Sequence, residues 1–202
     1  MATPTFLYLA SQSPRRRQLL EQLGVPYELL LPDDTEDAEG IEAVLPGEAP
    51  ATYVQRVTHL KLDAALDRLK RRRLPVAPVL CSDTTVALGR TIYGKPQDAK
   101  DAQRMLGKLS GQTHRVLTAV VIGKGQQRAQ ALSTSRVTFA AISARQIAAY
   151  VASQEPMGKA GAYAVQGRAA AFISHLSGSY SGIMGLPMFE TAQLLSSLGF
   201  KI

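Results

Sequence analysis

The chain has 202 residues, of which 46% are hydrophobic, so it is long and apolar enough to bury a core. No apolar run approaches the roughly 18 residues of a membrane span, and the N-terminus lacks a secretory signal, so we expect a cytoplasmic protein without a membrane partner. Cys81 is the one cysteine, which excludes an internal disulfide.

The formal net charge of +7 could indicate binding to nucleic acid. Five of the positive charges crowd into residues 68–73, RLKRRR, just before Pro75, where cations favour the C-terminal end of a helix. Neither an RNP-like aromatic pattern nor zinc-finger spacing accompanies them. We therefore expect a solvated helix end and no specific nucleic-acid partner.

Residues 7–20, LYLASQSPRRRQLL, are an apolar run followed by the start of a basic helix. Ser13 suits the N-cap of this helix, and Pro14 suits its first turn. The free N–H groups and positive dipole of a helix start, with Arg15 and Arg16 within one turn, predict an anion site for a polyphosphate. An ordinary capped helix with a basic surface is the alternative.

Spacing separates the arginines of this helix. Arg16 lies three and four residues before Leu19 and Leu20, so it shares their inward face, where a guanidinium needs an anionic partner. Arg17 lies four residues before Glu21, which indicates an exposed ion pair.

Strands and helices alternate along the rest of the chain. The pattern predicts strands over residues 27–31, 76–88, 91–93 and 116–122, then a turn at 123–125 and a returning strand to 140. It predicts helices over residues 51–69, 98–109, 143–153 and 188–198. Residues 32–50 form a long acidic loop of the kind that is often functional. Glycines crowd residues 158–187, which predicts tight turns or close backbone approach.

Three charged residues stand out within these elements. Lys61 shares the apolar line of its helix with Val54 and Val57, so its ammonium must emerge at an edge or meet an anion, and simple snorkelling is the alternative. Asp83 interrupts an apolar strand, which makes it the best catalytic candidate, because a buried carboxylate needs a partner. The following hairpin could return Lys95 to Asp83, although a purely structural ion pair would have the same pattern.

Several catalytic signatures are absent from the sequence. It contains no HExxH, no P-loop GxxxxGK[ST], no GxGxxG and no GxSxG, and its three histidines are isolated. The remaining cations and acids suit a polyphosphate held by cations and a divalent metal, with a carboxylate that orders the metal or activates water.

Four motifs in order span nearly the whole chain: SQSPRRRQLL, SDTTVALGRTIYGKP, DAQRMLGKLSGQTHRVLTAV, and GKAGAYAVQG with SGSYSGIMGLPMFET. Together they resemble the Maf family of nucleoside triphosphate pyrophosphatases. The resemblance implies an α/β, two-lobed mixed-sheet fold like that of the inosine triphosphatases, with residues 1–202 forming one domain whose lobes flank a central cleft. It also implies cleavage of a nucleoside triphosphate to monophosphate and pyrophosphate with a divalent cation, Mg, Mn or Co, and leaves a homodimer open.

Position by position, the resemblance assigns a set of residues to the substrate: Ser11, Arg15, Arg16, Lys61 and Lys95. It assigns Asp83 as the proton acceptor and, together with Glu36 of the acidic loop, as a metal ligand. The implied reaction is attack by an activated water on the α-phosphate, with pyrophosphate leaving on the cations.

Two positions concern the base. Thr84, directly after the acid, and Gln166-Gly167 resemble the family branch that acts on dTTP and UTP, whereas members acting on 7-methyl-GTP carry Gln and Glu at these places. The resemblance therefore makes Arg15, Thr84 and Gln166 specificity residues. A glutamine amide can pair with a pyrimidine edge because it offers both a donor and an acceptor.

One position departs from the family pattern. Leu60 stands directly before Lys61, where the family usually has an acid, so the site could have one metal ligand fewer. Leu60 and the basic net charge leave one alternative, a catalytically weakened nucleotide- or nucleic-acid-binding regulator of cell division. A 7-methyl-GTP pyrophosphatase is the alternative to the branch assignment.

Overall fold

The computed structural model describes residues 6–33, 36 and 40–202. Within them, seven strands form one mixed sheet with helices packed on it, which confirms the predicted α/β class. The strands are β1 (Leu7–Leu9), β2 (Tyr27–Leu29), β3 (Val79–Leu88), β4 (Thr91–Tyr93), β5 (Thr113–Lys124), β6 (Gln127–Phe139) and β7 (Ile173–Ser177). The helices are α1 (Pro14–Gln22), α2 (Pro50–Arg71), α3 (Ala99–Leu109), α4 (Ala144–Ala152), α5 (Tyr180–Met184) and α6 (Met188–Ser197). Short 3-10 turns cover Gly40–Glu42, Ala160–Ala162 and Arg168–Phe172.

The sheet has a gap along one edge of β3. The strand order is β2-β1-β3-β5-β6-β7, and β5 accompanies β3 from Val79 to Ala87. On the other edge, β1 pairs in parallel with Val79 and Leu80, and β4 pairs antiparallel with residues 86–88. Residues 81–85 therefore have no strand beside them on that edge within the described chain, and the site forms there.

Apolar side chains cover both faces of the sheet. Helix α2 packs Leu62 against Cys81 on one face, while α1 and α6 pack Leu20 and Leu195 against Leu80 on the other. A further cluster joins α3 and α4 to the ends of β5 and β6, beyond the gap. The gap in β3 thus lies between separate hydrophobic clusters, which hold its two sides in place.

The C-terminal glycine-rich stretch contains more regular structure than the predicted turns. It includes β7 and α5, and α5 begins where the Ser179 hydroxyl accepts from the Gly182 N–H at 2.9 Å. Helix α5 ends at Gly185, whose φ of 118° lies in the left-handed region that favours glycine. The elements are too short to leave a periodic signal in the sequence.

The predicted solvated helix end is confirmed for its last four cations, Lys70, Arg71, Arg72 and Arg73, which are exposed. The predictions for two other arginines are wrong. Arg68 is only 5% exposed, because it lies seven residues after Lys61 on the inward side of α2, and its guanidinium donates to the Leu30 carbonyl at 2.8 Å. Arg17 does not pair with Glu21; it donates to the Gln12 carbonyl, while Glu21 accepts from a tyrosine hydroxyl. Among the described residues, no helix has both the length and the apolarity needed to cross a membrane.

Candidate active site

A cleft of about 1110 Å³ opens at the gap in the sheet. Its wall includes every site residue that the sequence predicted: Ser11, Arg15, Arg16, Glu36, Lys61, Asp83, Thr84, Lys95 and Gln166. Ser11 lies where β1 leaves β3, and Lys95 follows the end of β4, so the two flank the gap from opposite sides. The volume is at the upper end of the usual range for small-molecule sites, which suits a ligand as large as a nucleotide.

On one side of the cleft, two carboxylates pair with the same lysine. The Lys61 ammonium lies 2.5 Å from Asp83 Oδ1 and 2.7 Å from Glu42 Oε1, and Lys95 Nζ lies 3.0 Å from Glu42 Oε2. The predicted approach of Lys95 to Asp83 is therefore indirect and passes through Glu42. Sequence reasoning missed Glu42, because it is one of several acids in a long loop and no spacing rule links it to α2.

The charges in this cluster compensate one another. Burial alone would raise the pKa of Glu42, but the charges and hydrogen bonds of Lys61 and Lys95 outweigh burial and lower it. Glu42 is therefore ionised at neutral pH. Burial, with the charges of Asp83 and Glu42, raises the pKa of Tyr53 to about 12, so its hydroxyl stays protonated and donates to the Glu42 carbonyl at 2.9 Å.

A half-buried arginine lies on the other side of β3. Arg16 donates from Nε to the Gly185 carbonyl at 2.8 Å, from Nη1 to Ser11 Oγ at 3.2 Å and from Nη2 to Thr84 Oγ1 at 3.5 Å. Burial lowers its pKa, against the opposing charge of Asp83. In residues 6–33, 36 and 40–202, no carboxylate lies within ion-pair distance of Arg16, so its full charge meets only neutral acceptors. A guanidinium in that position favours an anionic ligand.

Thr84 belongs to a chain of hydroxyls beneath Arg16. Its Oγ1 lies 3.0 Å from Thr118 Oγ1, and Thr118 in turn donates to the Gly182 carbonyl at 2.7 Å. Successive residues of a strand point to opposite faces, so Asp83 faces α2 while Thr84 faces α1 and α5. Both reach the cleft because the strand edge is open there. The specificity role of Thr84 stays a prediction.

The wall beyond the gap is formed by residues 158–166. Gln166 is exposed on this wall. Lys159, which sequence reasoning did not single out, also lines the wall and is half-buried. Lys159 Nζ donates to the Glu155 carbonyl at 2.5 Å, and its pKa is lowered by burial and then by the charge of Arg15. Arg15 and Lys159 thus add positive charge from opposite walls of the cleft.

Glu36 lines the cleft but is held by arginines. Its carboxylate lies 2.5 Å from Arg68 Nη2 and 2.7 Å from Arg71 Nη2, and the hydrogen bond from Arg68 is the largest cause of its lowered pKa. The structure does not bring Glu36 to Asp83; the acid that shares a partner with Asp83 is Glu42. The metal role of Glu36 stays a prediction, and it would require Glu36 to release these arginines.

Leu60 does not belong to the cleft wall. Helix α2 presents Lys61, Ala64 and Arg68 to the cleft, whereas Leu60 is 37% exposed outside it. The effect of leucine in place of the family's usual acid stays a prediction.

The carboxylates of the cleft could hold a divalent cation only together with further ligands, such as the phosphates of a substrate. Among the described residues, no three or more His, Cys, Asp or Glu side chains group together as a metal site. Asp83 and Glu42 nevertheless direct carboxylate oxygens at one cation, the Lys61 ammonium. Two carboxylates completed by substrate phosphates are the arrangement that Mg²⁺ prefers.

Comparison with known proteins identifies close relatives over the whole chain. A family model described as "Maf-like protein" matches residues 6–198. The chain is 76% identical over 197 residues to a dTTP/UTP pyrophosphatase of Albidiferax ferrireducens, with 98% of both chains covered. It is 66% identical over 202 residues to one of a Polaromonas species, with 100% of both covered. It is also 64% identical over 195 residues to one of Cupriavidus metallidurans, with 96% of this chain and 98% of the relative covered.

Proposed function

Since this chain belongs to the Maf family, we propose that it is a nucleoside triphosphate pyrophosphatase that splits dTTP and UTP into the monophosphate and pyrophosphate. The observation that carries this proposal is the cleft itself, in which an acid pair bound to lysines faces an arginine without an acidic partner in the described chain. Close relatives named for this activity support the choice of nucleotides.

The triphosphate is proposed to bind across the gap in the sheet. Arg16 offers a full positive charge with neutral partners, and Arg15 lies in the same helical turn. Ser13 makes no side-chain capping bond, so the first N–H groups of α1 are left for an anion. Lys61 and Lys95 can exchange their carboxylates for phosphate oxygens on the other side.

We propose Asp83 and Glu42 as the side chains that would hold a divalent cation, Mg, Mn or Co. The support is that both carboxylates already converge on the Lys61 ammonium and that oxygen donors suit these metals. When bound, such a cation neutralises charge on the phosphate oxygens and lowers the pKa of bound water.

In the proposed reaction, Asp83 accepts a proton from the water that attacks the α-phosphorus. One phosphorus–oxygen bond forms to this water while the bond from the α-phosphorus to the bridging oxygen breaks. Pyrophosphate leaves with that oxygen, and the charge it gains is stabilised by Lys61, Lys95 and Arg16. Gln166, with Thr84 and Arg15, is proposed to select the pyrimidine base.

The proposed setting follows from the same residues. We propose a cytoplasmic location, where nucleoside triphosphates are abundant and the buried thiol of Cys81 stays reduced. We also propose that no nucleic acid is a specific partner, because Arg68, Arg71 and Arg72 of the basic run pair with Glu36 or Asp33. A homodimer stays a prediction.

The test is a profile of pyrophosphate release from single nucleotides. The pure protein with Mg²⁺ or Mn²⁺ should release pyrophosphate fastest from dTTP and UTP, more slowly from CTP and ATP, and not at all once the metal is chelated. Fastest release from 7-methyl-GTP would overturn the pyrimidine assignment. No release from any nucleotide would favour a regulator that binds without turnover.

A further inference from the structure

The segment that carries Gln166 is anchored by one carboxylate at its base. Glu155 follows α4, and its Oε1 accepts from the Tyr150 hydroxyl at 2.8 Å while its Oε2 accepts from the Arg168 N–H at 3.0 Å. Tyr150 Oη also accepts from the Ala164 N–H at 3.3 Å. The acid and the phenol together hold the backbone on both sides of Gln166.

Gly167 is a glycine because of the space that Glu155 fills. Its φ of −102° is open to any residue, so the backbone conformation does not demand glycine. A Cβ at this position would overlap Glu155 Oε1 and lie 2.5 Å from Cδ of the same carboxylate. The side chain of Glu155 therefore occupies the place where any other residue 167 would begin.

The turn that bears Gln166 is closed by the Gly167 N–H, which donates to the Ala164 carbonyl at 3.0 Å, and Gln166 has no side-chain partner of its own among the described residues. Its exposed side chain makes no hydrogen bond within the described chain, so its direction into the cleft depends on the backbone that bears it. Burial would raise the pKa of Glu155, but the Arg168 N–H and the Tyr150 hydroxyl outweigh burial and lower it. The anchor is thus an ionised carboxylate at neutral pH.

We propose that Glu155 is a positioning residue for nucleotide selection: its carboxylate, wedged against Gly167, holds Gln166 at the cleft. This rests on the proposed function, because Gln166 is given the base-selecting role there. Glu155 acts through the backbone of residues 164–168 and does not touch the substrate. The Gln166-Gly167 pair and Glu155 therefore act together, across the short loop between the end of α4 and Gly167.

A double-mutant cycle between Glu155 and Gly167 tests this positioning role. Glu155→Ala and Gly167→Ala should each lower the kcat/KM preference for UTP over CTP by roughly 10-fold, through KM, because each releases or displaces the anchor. The double variant should be no worse than Glu155→Ala, since the added methyl group enters the space that the carboxylate left. Losses that multiply in the double variant would overturn the proposal.

Four controls separate positioning from general damage. Glu155→Gln keeps an acceptor for the Arg168 N–H and should retain most of the preference, and Tyr150→Phe should lose less of it than Glu155→Ala. Gly107→Ala, at an exposed helical glycine with open space around it, should leave the kcat/KM preference for UTP over CTP unchanged. Binding of inorganic tripolyphosphate, which has no base, should be equal in wild type and Glu155→Ala.

The outcomes distinguish this inference from the proposed function. Wild-type protein that releases no pyrophosphate would overturn the proposed function. Wild-type protein that discriminates UTP from CTP, with Glu155→Ala folded and equally selective, would overturn the positioning role alone. Weaker tripolyphosphate binding by Glu155→Ala, in parallel with UTP, would show collapse of the cleft and would also overturn it.

Discussion

Glu42 and Glu36 are two acids of the same loop with different partners. Glu42 shares the Lys61 ammonium with Asp83, whereas Glu36 is bound by two arginines of α2. The two acids have the same chemistry, and the sequence of a loop does not predict which of its side chains lies against the cleft. Their partners give them separate consequences that mutation can distinguish.

The first consequence concerns metal dependence. Glu42→Gln should lower kcat by about 100-fold or more and raise the Mg²⁺ concentration needed for half-maximal rate, because it removes one of two converging carboxylates. Pyrophosphate release across a Mg²⁺ titration measures both effects. A larger shift in the Mg²⁺ requirement for Glu36→Gln than for Glu42→Gln would return the metal role to Glu36.

The second consequence concerns stability and pH. The pKa of Glu36 is lowered in the folded protein, so the unfolded chain binds more protons. The ion pair therefore stabilises the fold fully above the ordinary carboxyl pKa and loses this effect as pH falls through the lowered pKa. Glu36→Gln should lower the free energy of unfolding at pH 7 by about 1–3 kcal/mol, because the buried Arg68 guanidinium then loses its charged acceptor.

Urea unfolding at neutral and acidic pH checks this expectation. The difference between wild type and Glu36→Gln should shrink as pH falls through the depressed pKa of Glu36, because both side chains are then uncharged. Glu28→Gln, at an exposed acid of β2, is the control and should differ little from wild type at either pH. A difference for Glu36→Gln that persists in acid would contradict the ion-pair account.

Helix α2 positions Lys61 and Glu42 on the acid side of the cleft. It carries Lys61, and its first turns carry Tyr53, which donates to the Glu42 carbonyl, and Arg56, which donates to the Ala43 carbonyl at 2.8 Å. One rigid element therefore holds both Lys61 and the 3-10 turn that bears Glu42. Sites on helices keep their geometry better than sites on free loops.

Removing one bond from this anchor should have a measurable effect. Tyr53→Phe should reduce kcat several-fold and raise the Mg²⁺ requirement, because the Glu42 backbone loses a hydrogen bond worth about 1 kcal/mol. Tyr27→Phe loses a comparable bond to Glu21, far from the cleft, and is the matched control. Equal kinetics for the two variants would contradict the anchoring role of Tyr53.

Periodicity predicted the longer elements and the residues that belong to them. The inward face of α1 placed Arg16 correctly, and burial within an apolar strand identified Asp83. The same rules missed Glu42 and the fit of Glu155 against Gly167, because each contact joins two different segments and no periodic pattern links the partners. They also failed for Arg17, since tertiary neighbours outcompeted the local pairing.

At the scale of the whole molecule, the gap in the sheet creates the site. Strands β1 and β4 share one edge of β3 and leave its middle open, so the two faces of the sheet meet in one cleft. Asp83 and Thr84, which point to opposite faces, can then act on one ligand. The resemblance to the Maf family is confirmed over residues 6–198, and this topology explains why its motifs lie so far apart in sequence.

We propose that this cleft directs water to the α-phosphate of a pyrimidine nucleotide, with Asp83 accepting the proton. The most direct test is hydrolysis of UTP in water enriched in ¹⁸O, with wild type and Asp83→Asn compared by mass spectrometry of the products. We predict UMP and pyrophosphate, with the heavy oxygen in UMP alone, and a rate at least about 100-fold lower for Asp83→Asn. Formation of UDP and phosphate, heavy oxygen in pyrophosphate, or an undiminished rate for Asp83→Asn would contradict the account.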